Sequence, residues 1–247
     1  MLSDDQLMRY SRQILLDSVD VTGQEQLARA RVLIIGAGGL GSPAALYLAG
    51  AGVGRIAIVD PDRLESSNLH RQIAYRENQL GEHKAVALAD QLRALNAEVN
   101  VEAHLKVADE PWLSEWLSTD QIDLVLDCTD NFAARSAINR ACVAARLPLI
   151  SGAAIRLEGQ LAVFDLRDST APCYACLYGE GDTPDTLCSE SGVLGPVVGT
   201  IGTLQALLAI RLLTGEKLPA KLHTFDGANM EWRSLRFRKD PDCLVCG

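Results

Sequence analysis

Gly36-Ala37-Gly38-Gly39-Leu40-Gly41 restricts the possible folds of this 247-residue chain more than any other stretch. The hexapeptide matches G-x-G-x-x-G, follows the apolar run Arg31-Val32-Leu33-Ile34-Ile35, and opens the Ala- and Leu-rich segment from Leu40 to Ala51. A buried strand, a tight glycine turn and a helix, in that order, are what a nucleotide site of this kind requires. The glycines let the backbone approach phosphate, and the helix N-terminus offers free N–H groups and positive potential. Asp60 ends the next apolar run, Arg55 to Val59, where its carboxylate can accept hydrogen bonds from ribose hydroxyls. By itself the pattern points first to NAD or FAD and leaves the nucleotide open.

Strands and helices go on alternating after Asp60. His83 to Leu95 reads as a helix, Val99 to Ala103 as extended chain and Ile122 to Asp127 as a buried strand. Asn131 to Arg146 reads as a helix, and Pro148 to Ser151 as the strand after it. Alternation at these lengths predicts an α/β chain with a Rossmann-like open, mainly parallel sheet and helices on both faces. Upstream, Ser3 and Gln6 have capping-box spacing, so a helix is expected from Asp4 through Arg12. Beyond Gly152 the texture changes to a strand at Gly159–Asp165, a polar loop to about Glu190, and short strands at Leu222–Phe225 and Glu231–Phe237. These suit antiparallel additions at the C-terminal part of the sheet. Ser191 to Ile210 lacks charge, yet its glycines, Pro196, Thr200, Thr203 and Gln205 fit a packed, buried helix better than a membrane span. Without repeats or low-complexity linkers, residues 1–247 are expected to form one domain. It divides into a helical segment at 1–30, a nucleotide-binding half at 31–151 and a C-terminal half at 152–247.

Seven cysteines raise the question of compartment. The first residues, Met1-Leu2-Ser3-Asp4-Asp5-Gln6, show no basic or apolar leader, so a cytoplasmic, reducing location is expected, where metal binding is a commoner use of thiols than disulfides. Cys173-Tyr174-Ala175-Cys176 and Cys243-Leu244-Val245-Cys246 are two C-x-x-C knuckles that suit a closed, structural zinc site with four thiolate ligands. Cys128 and Cys142 read as core residues. A net charge of −9 argues against nucleic acid as the partner, because phosphate-backbone binders accumulate Lys and Arg.

Three further stretches are distinctive: Ser67-Asn68-Leu69-His70-Arg71-Gln72, Asp127-Cys128-Thr129-Asp130-Asn131 and Ser151-Gly152-Ala153-Ala154. With the glycine loop and the paired knuckles they make the chain resemble the bacterial adenylyltransferases of the ubiquitin-activating superfamily, the molybdopterin-synthase and thiamine sulfur-carrier adenylyltransferases. The resemblance runs from Met8-Arg9-Tyr10-Ser11-Arg12-Gln13 to Cys246-Gly247. It implies ATP-dependent adenylation of the C-terminal Gly-Gly carboxylate of a ubiquitin-like sulfur carrier, with residues 152–247 as the carrier-binding and zinc half. Gly36, Gly38, Gly39, Gly41, Ser67 and Asn131 would contribute to the nucleotide site, and Asp60 would hold the ribose. Asn68, Arg71 and Lys84 would surround the triphosphate, Asp130 would bind Mg2+, and Arg12 would reach into the partner's site in a homodimer.

His70 stands where relatives commonly have Gln, and His83 where Pro is frequent; neither is expected to touch the proposed catalytic side chains, but His70 could alter a contact with the nucleotide. Cys188 has two readings, a passive thiol or a cysteine that joins the carrier covalently. The loop from Gly179 to Glu190 is a candidate cover over the carrier tail. Ser151 to Gln160 looks more like the molybdopterin branch, whereas Phe225-Asp226-Gly227 and Trp232 to Leu235 look more like the thiamine branch. A nicotinamide-dependent oxidoreductase is the more distant alternative, but it leaves Arg71, Lys84 and Asp130 without a task.

Overall fold

Alternation inside one short strand sets the layering of the molecule. In β1 (Arg31–Ile35), Val32 and Ile34 are buried in one apolar cluster with Ile56, Ile58, Leu48 and Leu88. Leu33 and Ile35 enter a second cluster with Ala57, Val59, Leu113 and Ile138. Successive side chains of a strand point to opposite faces, so a strand with four apolar residues in a row must be covered on both. The computed structural model describes residues 1–179 and 192–247.

Eight strands form a single sheet. After β1 come β2 (Arg55–Val59), β3 (Asn100–His104), β4 (Leu124–Asp127), β5 (Leu149–Ile155), β6 (Glu158–Phe164), β7 (Lys221–Asp226) and β8 (Glu231–Arg236). Their spatial order is β3-β2-β1-β4-β5-β6-β7-β8. Pairing is parallel from β3 through β5 and antiparallel from β5 to β8. The mainly parallel sheet with antiparallel additions is therefore the one expected. Chain order reverses direction between β1 and β4, which creates a crevice beyond their C-terminal ends, the place where open α/β sheets bind ligands.

The helices are α1 (Asp4–Arg9), α2 (Ser11–Ile14), α3 (Asp20–Arg29), α4 (Gly41–Gly50), α5 (Lys84–Leu95), α6 (Glu110–Thr119), α7 (Phe132–Ala145), α8 (Tyr174–Tyr178) and α9 (Gly195–Leu213). Cluster membership places α4, α5 and α9 on one face and α6, α7 and α8 on the other. The capping box at Ser3 and Gln6 forms as the spacing predicts, with both reciprocal hydrogen bonds present. The helix nonetheless stops at Arg9 instead of running through Arg12. Tyr10 turns inward, where its hydroxyl accepts a hydrogen bond from Asn96 Nδ2 at 2.9 Å and its ring lies where a Cβ on Gly52 would be. Helix α6 was not expected from the sequence, although Asp109 caps it and Pro111 sits in its first turn.

Helix α9 begins at Gly195, four residues later than the apolar run, with Pro196 in its first turn. It is long and apolar enough to cross a membrane, the only such helix among the described residues, but its inner face is core. Ile201, Gln205 and Ala209 are fully buried, and a Cβ on Gly202 would stand 2.2 Å from the Leu40 carbonyl oxygen. At the other end of the scale of constraint, α7 terminates on Arg146 with φ 54° and ψ 41°, a left-handed cap that glycine fills without steric cost. Arg146→Gly is expected to stabilise the protein by about 0.5–1 kcal/mol, read as a higher thermal midpoint. An unchanged or lower midpoint would mean that the Arg146 side chain supplies more than the strain costs.

Candidate active site

The switch-point crevice is a cleft of ≈ 1140 Å³. Its wall on the β1 side is the glycine loop. Gly36 has φ +98°, and a Cβ there would lie 2.6 Å from the Cys128 carbonyl oxygen on the neighbouring strand end. Gly41 has a different task. A Cβ there would fall 1.8 Å from the Gly36 carbonyl, so Gly41 keeps the turn closed and does not line the cleft. Gly38 and Gly39 do line it.

Asp60, at the end of β2, is buried and accepts hydrogen bonds from the N–H groups of Ala37 (2.7 Å) and Asp62 (2.8 Å). Burial raises its pKa, and those two N–H groups oppose the shift by favouring the ionised form. Tyr75 fastens the same loop from behind. Its buried hydroxyl donates to the Ala37 carbonyl at 2.5 Å, and burial pushes its pKa well above the usual phenol range.

The segment after Asp60 carries Arg63, Arg71 and Lys84 into the cleft. Lys84, at the start of α5, is buried and pairs with Asp62 Oδ2 at 2.9 Å. Arg71 pairs with no carboxylate among the described residues. Its Nη1 donates to the Ser67 carbonyl at 2.8 Å and lies 2.9 Å from His70 Nε2. The expectation that His70 leaves the catalytic side chains untouched is thus corrected: the turn that presents Arg71 also folds the neighbouring ring against it. Asn68 lines the cleft as well, and its Oδ1 accepts from the Glu65 N–H at 3.1 Å. Ser67 itself does not line the cleft; its carbonyl holds Arg71.

Opposite, the loop after β4 presents Asp130 and Asn131. Asn131 caps α7, its side chain accepting the Ala134 N–H at 2.8 Å, which leaves the exposed Asp130 carboxylate without a hydrogen bond to any described residue. Beneath this loop lies a buried polar network. Asp127 accepts hydrogen bonds from Ser151 Oγ (2.6 Å) and Thr129 Oγ1 (2.7 Å). Arg135 donates to the carbonyls of Thr129 and of Gly152, the latter at 3.0 Å, and to Ser151 Oγ at 3.3 Å. Gln205 of α9 closes the network by donating to the Asp127 carbonyl at 2.8 Å. A Cβ on Gly152 would meet Gln205 Oε1 at 2.5 Å, so the glycine of Ser151-Gly152-Ala153-Ala154 makes room for this contact.

Sequence reasoning gave no role to Arg135, Gln205 or Gln72, the last a buried cleft residue whose Oε1 has no partner among the described residues. Arg135 had a usable signal, since its place in the first turn of a helix capped by Asn131 aims it back at the loop. Gln72 closes the distinctive stretch that begins at Ser67 but was given no role, and Gln205 was read only as a polar residue of the apolar run. Arg12 lies on α2, exposed and outside the cleft. Cys188 and the loop that follows Gly179 fall outside the described residues.

On the opposite face of the sheet the two knuckles meet. Cys173, Cys176, Cys243 and Cys246 place their sulfurs within 4.8 Å of one another, with separations of 3.9, 3.7 and 3.4 Å between neighbours. A tetrahedral ion bonded to sulfur at about 2.3 Å needs S···S edges of about 3.8 Å, so these four thiols fit one such ion. Asn139 Nδ2 and the Asp240 N–H approach Cys173 and Cys176 at 3.6 and 3.4 Å, as outer donors to metal-bound thiolates do. Because Asn139 and Arg135 are one turn apart on α7, that helix connects the thiol cluster with the cleft floor.

The ThiF family profile matches residues 10–245. The chain is 45% identical over 251 residues to the sulfur carrier protein ThiS adenylyltransferase of Escherichia coli K12, covering 100% of this chain and 97% of that protein. It is 42% identical over 251 residues to the molybdopterin-synthase adenylyltransferase of the same organism, covering 100% and 98%. A third relative, the adenylyltransferase and sulfurtransferase MOCS3 of Caenorhabditis briggsae, is 46% identical over 97% of this chain, which spans only 60% of that protein's length. Among solved structures, Escherichia coli MccB with ATP superposes with a TM-score of 0.84 at 24% identity, over 99% of this chain and 74% of that one. At that identity the likeness concerns the fold alone.

Proposed function

Because the chain belongs to the ThiF family, we propose that it is an ATP-dependent adenylyltransferase acting on the C-terminal Gly-Gly carboxylate of a ubiquitin-like sulfur carrier. The observation that carries this reading is the convergence around one glycine loop of Lys84 with Arg71 and Asp130, neither of which pairs with an opposite charge among the described residues. A hydride-transfer site has no use for that set. A carboxylate attacking a phosphate has, because both reactants are anions and the repulsion must be neutralised.

In the proposed step a carboxylate oxygen of the carrier forms a bond to the α-phosphorus of ATP, and the bond from that phosphorus to pyrophosphate breaks. Acyl-adenylate and pyrophosphate result, and no side-chain nucleophile is required. Gly38 and Gly39 admit the phosphates, Asp60 accepts the ribose hydroxyls, and Asn68, Arg71 and Lys84 surround the triphosphate. Asp130 would hold the Mg2+ that accompanies ATP, which supplies further neutralisation of the phosphates. Much of the acceleration comes from orientation, since binding converts a bimolecular collision into an aligned pair.

The four cysteines would hold a structural Zn2+, because four thiolates leave no open position for catalysis. Residues 1–247 are taken as one adenylation domain working as a cytoplasmic homodimer, with Arg12 completing the partner's site. Identities of 45% and 42% to the thiamine- and molybdopterin-pathway enzymes do not separate the two carriers. The molybdenum-cofactor carrier is our first choice on Ser151 to Gln160.

The test is ATP–pyrophosphate exchange with each purified carrier, with and without Mg2+. Exchange is expected only with a carrier that ends in Gly-Gly and only with the metal. Exchange indifferent to the carrier, or thermal stabilisation by NAD in place of ATP, would refute the reading.

A further inference from the structure

One side of the Arg71 guanidinium is anchored and the other is open. Both of its hydrogen-bond contacts engage Nη1, with the Ser67 carbonyl at 2.8 Å and with His70 Nε2 at 2.9 Å. Nε and Nη2 have no partner among the described residues, and they form the planar fork that matches two phosphate oxygens. We propose that His70 is a positioning residue for Arg71, its Nε2 accepting a hydrogen bond that, with the Ser67 carbonyl, aims the free side of the guanidinium into the cleft.

The chemistry of the pair determines the state of the ring. A guanidinium carries donors only, so the contact is a hydrogen bond only when Nε2 bears the lone pair and the imidazole proton sits on Nδ1. The backbone beneath is held as well. The first residue of α9 is packed so closely that a Cβ on Gly195 would lie 2.6 Å from the His70 carbonyl oxygen. Protonating His70 would replace the acceptor by a second donor and set two cations about 3 Å apart. The other ionisable groups of the segments meeting there include Glu65 on the same turn, Arg63, Asp62 and Lys84, the last two paired with each other, and Asp130 in the shared cleft. The first turn of α9 brings no acidic residue. None of these is bonded to the His70 ring.

The proposal rests on the adenylation reading only for the identity of the anion, and two measurements separate them. Imidazole 15N shifts at about pH 8 should show His70 with its proton on Nδ1, and Arg71→Ala should release the ring to the Nε2–H form. Calorimetry should show His70→Ala weakening Mg2+–ATP binding about fivefold, with His70→Gln, which keeps an acceptor, recovering most of the loss. An Nε2–H tautomer in the wild type, or equal affinities for the three proteins, overturns the proposal. A protein that shows these differences yet performs no exchange refutes adenylation and leaves the His70 assignment standing.

Discussion

Arg71→Ala is expected to lower carrier-dependent ATP–pyrophosphate exchange by about 10²–10³-fold, the usual cost of removing one preorganised donor from a developing oxyanion. The thermal midpoint should stay within about 2 °C of wild type, since the deleted side chain makes two contacts on a partly exposed turn and no ion pair with a described residue. That combination is diagnostic. A structural arginine would lose stability together with activity, and a merely solvated one would lose neither. Arg71→Lys should recover only part of the rate, because an ammonium keeps the charge but not the fork. Full activity in Arg71→Ala would remove this residue from the site and, with it, the main support for a triphosphate in the cleft.

Loss of the metal should produce the largest effect on stability. Stripping the ion with a chelator, or Cys243→Ser, is expected to cost about 4 kcal/mol, equivalent to a midpoint lower by roughly 10 °C for a chain of this size. The stretch after β8 shows why. Leu244 is 89% exposed, and apart from the thiols the described contacts of this stretch include the Phe237 ring on Phe164 at 5.6 Å, the half-buried Val245 against the core and Lys239 Nζ on the Ser169 carbonyl at 3.1 Å. A bond network joining positions 173 and 176 to 243 and 246 closes a long loop that is otherwise weakly held. Elemental analysis should give about one zinc per chain. A metal-free protein with an unchanged midpoint would contradict this account. Because α7 joins the thiol cluster to the cleft floor through Asn139 and Arg135, exchange activity should decline in the stripped protein before global unfolding.

Several elements were legible because their causes are local. Ser3 and Gln6 cap each other across three residues, and the glycine loop is a turn that few residue types can make. Asp60 belongs to the same class: it ends an apolar strand, so its carboxylate arrives where that strand stops. The end of α1 was not local. It depends on Tyr10 finding Asn96 and Gly52, residues far along the chain. His70 was misread for the converse reason: a motif tells which residues are present, whereas only the path of the turn shows that the ring folds back on Arg71. Helix α6 carried a readable pattern, with Asp109 as cap and Trp112, Leu113, Trp116 and Leu117 along one side, that the strand-centred reading passed over.

The triphosphate residues came only through the family resemblance; from the sequence by itself came the α/β class, the glycine turn, the acid at the end of β2 and the two C-x-x-C knuckles. All of these follow from neighbours within a few positions, where propensity and turn chemistry act. Tertiary structure alone decided that β4 lies beside β1, and hence that Asp130 faces the glycine loop across one cleft. It also decided that Asp127, Arg135, Ser151 and Gln205 form one network, and that thiols seventy residues apart come within 4.8 Å. Strand order and long-range packing depend on the burial of whole faces, a property that no short window of residues contains.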